Sequence, residues 1–396
     1  MSTRTLLPVA LAFAALVLAC DRGAPAPEAP AERQARPTVQ PAAQPEATQK
    51  MAPEATDRSR HLTSTARILA GLTVEGGSPL AAIQERPAWK AHARVLGNLW
   101  KQHEAARLSK VRRWSDANLG AIRASSSTVF YPFGGPDILY ATAFYPDAQA
   151  YVLVGLEPVG TMPDLMALPP ESLDNSLKEM ETYITPILQI SFFRTNDMEE
   201  ELTQKGTLPI LLVFLAGTGH RILDVQPLAL AADGTPVAPQ GPGVARSVRI
   251  DFQKEGSTST QSLYYFSQDL SDAALKKAPQ FTAFLRTMSR PTTFLKAASY
   301  LMFRDHFSTV RDFILTGTAA VLEDDSGIPL RYFQSKKWEV RFFGTYKGPI
   351  KLFKMFEQKD LLEAYHGSGT VAPLDFGIGY RHHAGESNLM LATIRP

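Results

Sequence analysis

Between Asp21 and Ser59 the chain reads DRGAPAPEAPAERQARPTVQPAAQPEATQKMAPEATDRS, rich in proline and alanine and without an aromatic residue. Such a segment buries too little apolar surface to offset the entropy of ordering it, so it reads as a disordered, partly polyproline tether. At about 3.1 Å per residue it reaches on the order of 100 Å when extended. Folding is thereby confined to the residues beyond Ser59, a length that suits one large domain or two ordinary ones.

The charge balance narrows the function classes. Lys and Arg number 41 against 39 Asp and Glu, a formal net charge of +2, and a nucleic-acid binder would carry a marked basic excess. Cys20 is the sole cysteine. Internal disulfides, iron–sulfur ligation, c-type haem attachment and thiolate zinc sites are therefore excluded. No cofactor motif is present, and no metal site or cofactor is assigned. No later apolar run is long enough to span a bilayer.

Ahead of the tether, Arg4 precedes an apolar run from Leu6 to Leu18. The run is too short to cross a membrane and has the proportions of a secretory signal. It ends Val17-Leu18-Ala19-Cys20, which resembles the lipobox of bacterial lipoproteins; Leu18 is larger than the Ala or Ser usual there. The resemblance covers residues 1–20. It implies cleavage before Cys20, diacylglycerol on the Cys20 sulfur and further acylation of the new amine, giving the several acyl chains a stable anchor takes. The expected organisation is a signal peptide over 1–19, a lipidated Cys20 with its tether over 20–59, a helical segment over 60–125 and a body over 126–396. The body reads as two lobes, 126–270 and 271–396.

Within 60–125, Trp89, Leu96, Trp100, Val111 and Trp114 fall within about 60° of one another at 100° per residue, which predicts a helix face packed on the body. Beyond it, STVFYPFGGPDILYATAFYPDAQAYVLVGLEPVG reads as three strands. A helix is expected over 173–193 and a hairpin around Gly217-Thr218-Gly219. Strands come next in ARSVRIDFQK and STQSLYYFSQDL, then helices over 272–289 and 292–315. Further strands lie in TAAVLEDDSGIPLRYF, WEVRFFGTY and SNLMLATI. Neighbouring strands outnumber strict strand–helix alternation. The predicted class is α+β: N-terminal helices followed by a mixed, mostly antiparallel sheet with packed helices.

Two stretches carry candidate chemistry. FYPFGGPD, 130–137, fixes a sharp turn that leaves Asp137 beside Tyr131; it lacks phosphate-loop spacing. In PTTFLKAASYLMFRDHFSTVRDFIL the apolar face turns by about 160–180° partway along a helix. Asp305 extends the first stripe, His306 lies between the two faces, and Tyr300 and Arg304 share a third side. A carboxylate ending an apolar stripe must be paired or have a raised pKa. Asp305 and His306 are thus the catalytic candidates, and Tyr131, Asp137, Tyr300 and Arg304 the ligand-binding candidates. Asp324 and Asp325 read as a turn, with a Ca²⁺ or Mg²⁺ role as the sharper alternative. The adjacent His382 and His383 point to opposite sides of a strand.

The expected protein is a membrane-anchored lipoprotein whose body, periplasmic or surface-facing, serves as a binding or assembly component of the cell envelope. Its expected partners are the membrane, through Cys20, and an envelope protein or glycan. The alternative is an envelope hydrolase built on Asp137, Arg304, Asp305 and His306.

Overall fold

Alternating burial along short central strands decides the architecture. In β1 (Thr128–Tyr131), Val129 and Tyr131 join one hydrophobic cluster and Phe130 the other; in β2 (Ala150–Gly155), Tyr151 and Leu153 oppose Val152 and Val154. Both faces of the sheet are therefore covered, as parallel strands require. The computed structural model describes residues 53–192, 206–240, 245–367 and 370–395. Cys20 and the apolar run before it lie outside them.

In chain order the helices are α1 (Pro53–Leu69), α2 (Pro87–His103), α3 (Ser109–Asn118), α4 (Gly120–Ser125), α5 (Ile138–Phe144), α6 (Pro170–Ile190), α7 (Leu208–Gly217), α8 (Asp272–Lys277), α9 (Pro279–Thr287), α10 (Ser308–Gly317) and α11 (Lys359–His366). The further strands are β3 (His220–Leu230), β4 (Pro236–Val237), β5 (Ser247–Lys254), β6 (Gln261–Ser267), β7 (Thr292–Leu295), β8 (Ala320–Glu323), β9 (Trp338–Gly344), β10 (Val371–Ala372) and β11 (Asn388–Ile394). All eleven form one sheet, in the order β10-β9-β11-β8-β7-β1-β2-β6-β5-β3-β4.

The fold is α+β with a mixed sheet. Antiparallel ladders hold most of the paired residues in its two wings, whereas the centre, β8-β7-β1-β2-β6, is parallel throughout. Helices α1, α2, α5, α6 and α7 cover one face through Leu62, Leu96, Phe144, Leu177 and Leu211; α8, α9 and α10 cover the other through Leu275, Phe281 and Val310. Trp89 and Trp114 are buried in the first cluster and Trp100 packs against it, so the tryptophan stripe is a packing face. The two segments expected as lobes share this one sheet, with β1 seated between β2 and β7.

Four expectations fail locally. Helix α1 begins at Pro53, inside the expected tether, because Ser59 Oγ donates to the Ile222 carbonyl (2.7 Å) and Arg58 pairs with Asp224 (2.9 Å) on β3. The predicted hairpin near Gly217 is α7 followed by β3. Every residue from Leu208 to Ala216 is buried, so α7 has no polar face to betray its period. The middle one of the three predicted strands is α5, which comes directly after the glycine turn. The predicted helix over 292–315 is β7, then a tight run with Ala297, Ser299 and Tyr300 at φ of 51°, 53° and 55°, and only then α10. The turning apolar face marked that break: Thr292 and Thr293 are β-branched and suit a buried strand.

The connections leave one special place. From β1 the chain crosses through α5 to β2 on one side, and from β7 through α10 to β8 on the other. Strands β1 and β7 are neighbours. In open α/β sheets the crevice beyond the carboxyl ends of such a strand pair is the topological switch point, where ligands bind.

Candidate functional site

Two charged residues meet at that switch point. Lys296 comes just after β7, and Asp137 ends the loop after β1. Lys296 Nζ lies 2.6 Å from Asp137 Oδ2, and each side chain is only 2% exposed. The second Asp137 oxygen caps α5 by accepting the Tyr140 backbone N–H (3.2 Å), while Oδ2 also accepts the Tyr131 hydroxyl (2.9 Å). Lys296 donates as well to the Ser191 carbonyl, and its ammonium sits 4.1 Å from the centre of the Tyr140 ring. Burial pushes the Asp137 carboxyl up and the Lys296 ammonium down, and their mutual attraction opposes both shifts. A pair so poised is suited to exchanging a proton.

Two further buried polar side chains, Tyr140 and His103, stand beside the pair. Tyr140 is fully buried, and its hydroxyl interacts with Ser191 and Arg107. His103 Nδ1 donates to the Leu188 carbonyl (2.7 Å), which leaves Nε2 an acceptor without a hydrogen-bond partner among the described residues. Burial lowers His103 to about 4, so the ring is neutral near pH 7. The His103 and Tyr140 rings meet edge to face at 5.7 Å. After His103 the helix widens to a π-turn over Glu104–Leu108, a distortion frequent at functional sites. From this turn Arg107 donates to the His382 carbonyl (3.0 Å).

A second shelf lies at the end of β8. Glu323, Asp324 and Asp325 are all buried. Asp324 accepts the Ala297 and Ser326 backbone N–H groups (2.9 and 3.0 Å), and Asp325 accepts the Tyr300 hydroxyl (2.5 Å) and the Asn388 amide (3.0 Å). Burial, then the charge of Asp325, raises Asp324 to about 6. Glu323, Asp325 and Asn388 help line a cavity of about 10 Å³, room for one water. Among the described residues no group of three or more His, Cys, Asp or Glu is arranged to hold a metal.

The backbone here is held in uncommon conformations. Of six non-glycine residues with positive φ among those described, Phe133, Ser191, Ala297, Ser299 and Tyr300 belong to the loops of this site; Arg290 is the sixth. Each costs roughly 1–3 kcal/mol and persists only where its surroundings enforce it. The loop Gly377–Glu386 closes over the cluster. Ser191 Oγ donates to the Gly379 carbonyl (3.4 Å), Arg107 to that of His382, and the Tyr380 hydroxyl to that of Ala297 (3.0 Å).

The predicted site residues divide. Tyr131 and Asp137 join Lys296, and Tyr300 lies alongside on the Asp325 shelf. Arg304, Asp305 and His306 are exposed on two short 3₁₀ turns outside the cluster, with Arg304 over the Phe356 ring (5.4 Å) and His306 against Phe307 (4.8 Å). No hydrogen bond or ion pair joins those three to Asp137 among the described residues. His382 and His383 occupy a turn with their rings 4.2 Å apart, not a strand. Lys296, Tyr140, His103 and Arg107 escaped prediction as site residues. The one signal for them was the lone charge in TTFLKAAS, legible only once that stretch is read as a strand end. Comparison with protein families, with curated proteins and with solved structures finds no match for this chain.

Proposed function

We propose that this chain is a bacterial lipoprotein, anchored in the cell envelope through Cys20, whose body is a binding component that takes a small polar ligand at the Lys296 cluster. The observation that carries the binding reading is the buried Lys296–Asp137 pair at the switch point, beside His103 Nε2, which has no partner among the described residues. An ammonium, a phenol donor and an imidazole acceptor suit a ligand with both anionic or carbonyl oxygens and a donor group. Entry requires the Gly377–Glu386 loop to lift, which breaks its hydrogen bonds to Arg107, Ser191, Ala297, Ser299, Gly348 and Pro349. The hydrolase built on Arg304, Asp305 and His306 gains no support, since these stand in solvent apart from Asp137.

Two experiments separate the two halves of the proposal. Cys20→Ser should abolish fatty-acid labelling and release the protein from membranes; labelling that persists contradicts the anchor. Native mass spectrometry of the full chain, purified from its own membranes, should show a noncovalent small-molecule adduct that Lys296→Met loses. An identical spectrum for the two proteins contradicts the binding site.

A further inference from the structure

A second feature lies outside the cluster. The 3₁₀ segment Lys351–Phe356, KLFKMF, holds Leu352 and Met355 at 70% and 75% exposure, the highest among the exposed large hydrophobic residues described. Lys351 and Lys354 flank them and are exposed. The segment stands on packed rings: Phe353 and Phe356 lie 4.9 and 5.3 Å from Tyr300, and Phe356 lies 5.4 Å from Phe303. Two arginines border the same rings, Arg304 over Phe356 (5.4 Å) and Arg331 over Phe303 (5.9 Å). Two lysines thus flank the two protruding aliphatic side chains and two arginines border the rings beneath them, against the exposed carboxylates Asp305 and Glu357.

From this arrangement we infer that Lys351–Phe356 docks on an anionic lipid surface. Leu352 and Met355 enter the boundary between headgroups and acyl chains, and Lys351, Lys354, Arg304 and Arg331 meet lipid phosphates. The pairing of protruding apolar groups with a basic rim is the chemistry of interfacial binding. A solvated basic face alone would not expose Leu352 and Met355. The Tyr300 ring, fixed by Asp325, gives the segment a rigid base. The inference rests on the anchor reading for the membrane's proximity, since a tethered body meets its own membrane at high effective concentration.

The test uses the full lipidated chain. With Cys20 acylated, Met355→Cys carries the only free thiol and takes an environment-sensitive fluorophore. In vesicles of equal parts phosphatidylcholine and phosphatidylglycerol, its emission should shift to the blue and be quenched by brominated lipid. In phosphatidylcholine alone both effects should vanish, as they should for a control label at Val237→Cys. Lys351→Glu/Lys354→Glu should abolish the shift without altering the circular dichroism. Emission identical in the two vesicle types overturns the inference, as does an effect that survives the charge reversal. A blue shift without vesicles, growing with protein concentration, would mean a second copy as occupant and also overturns it. Failure of the anchor shows separately, as a second labelled thiol at Cys20.

Discussion

Lys296 Nζ and Asp137 Oδ2 lie 2.6 Å apart, and both side chains are almost wholly removed from water. Neither residue neighbours the other in sequence; the adjacent parallel strands β1 and β7 bring them together. Removing one partner strands the other as an uncompensated buried charge, which costs about 3–5 kcal/mol. Lys296→Met should therefore lower unfolding stability by about that amount. Lys296→Met/Asp137→Asn should recover most of it, because an asparagine keeps an oxygen for the Tyr140 N–H. Urea denaturation of the two variants checks this; a double variant as unstable as the single one refutes the pairing.

The titration of Asp324 predicts one limb of the pH profile. Its carboxyl is raised from 3.8 to about 6 in the folded protein. Between these values the native state holds more protons than the unfolded chain, so this group's stabilisation is full below about pH 4 and is lost as pH rises through 6. His103 acts oppositely. Its imidazole is lowered from 6.5 to about 4, so the unfolded chain takes up protons first and the contribution is lost as pH falls from 6.5 towards 4. Stability should thus rise more steeply from pH 4 to 6 in Asp324→Asn than in the parent. His103→Gln should flatten the rise. Thermal unfolding across that range reads both, and parallel profiles for all three proteins contradict the assignment.

Gly379 makes a local prediction. Its φ is +65°, and a Cβ there would run into Asp324 Oδ2. Gly379→Ala combines a left-handed backbone penalty with that clash and should cost about 1–3 kcal/mol. Hydrogen exchange should show faster opening of 377–386 in the variant, with the central strands unchanged. Unaltered exchange there would mean that the loop does not depend on this approach.

Much of the framework was legible in the sequence where one face meets water. Strands β5, β6 and β9 and helix α6 carry clear patterns, and the tryptophan stripe marked a packing face. The misread elements share a different trait. β7 offers four buried residues, and α7 is apolar on all sides, so neither has a polar face to reveal its period. The site failed for a related reason. Asp137 and Tyr131 could be picked out from an unusual turn, whereas the meaning of Lys296 depends on which strand end faces it. That juxtaposition is topological, and local pattern does not encode it.

If the unsatisfied His103 Nε2 beside Lys296 belongs to a ligand site, the protein should carry its ligand out of its own membranes. A high-resolution crystal structure of the full protein so purified tests this most directly. Density for a bound polar molecule is expected, touching the Tyr140 hydroxyl, His103 Nε2 and Lys296 Nζ. A structure in which His103 Nε2 bonds to a protein group or to one water, with no other molecule beside Lys296, would contradict the ligand site.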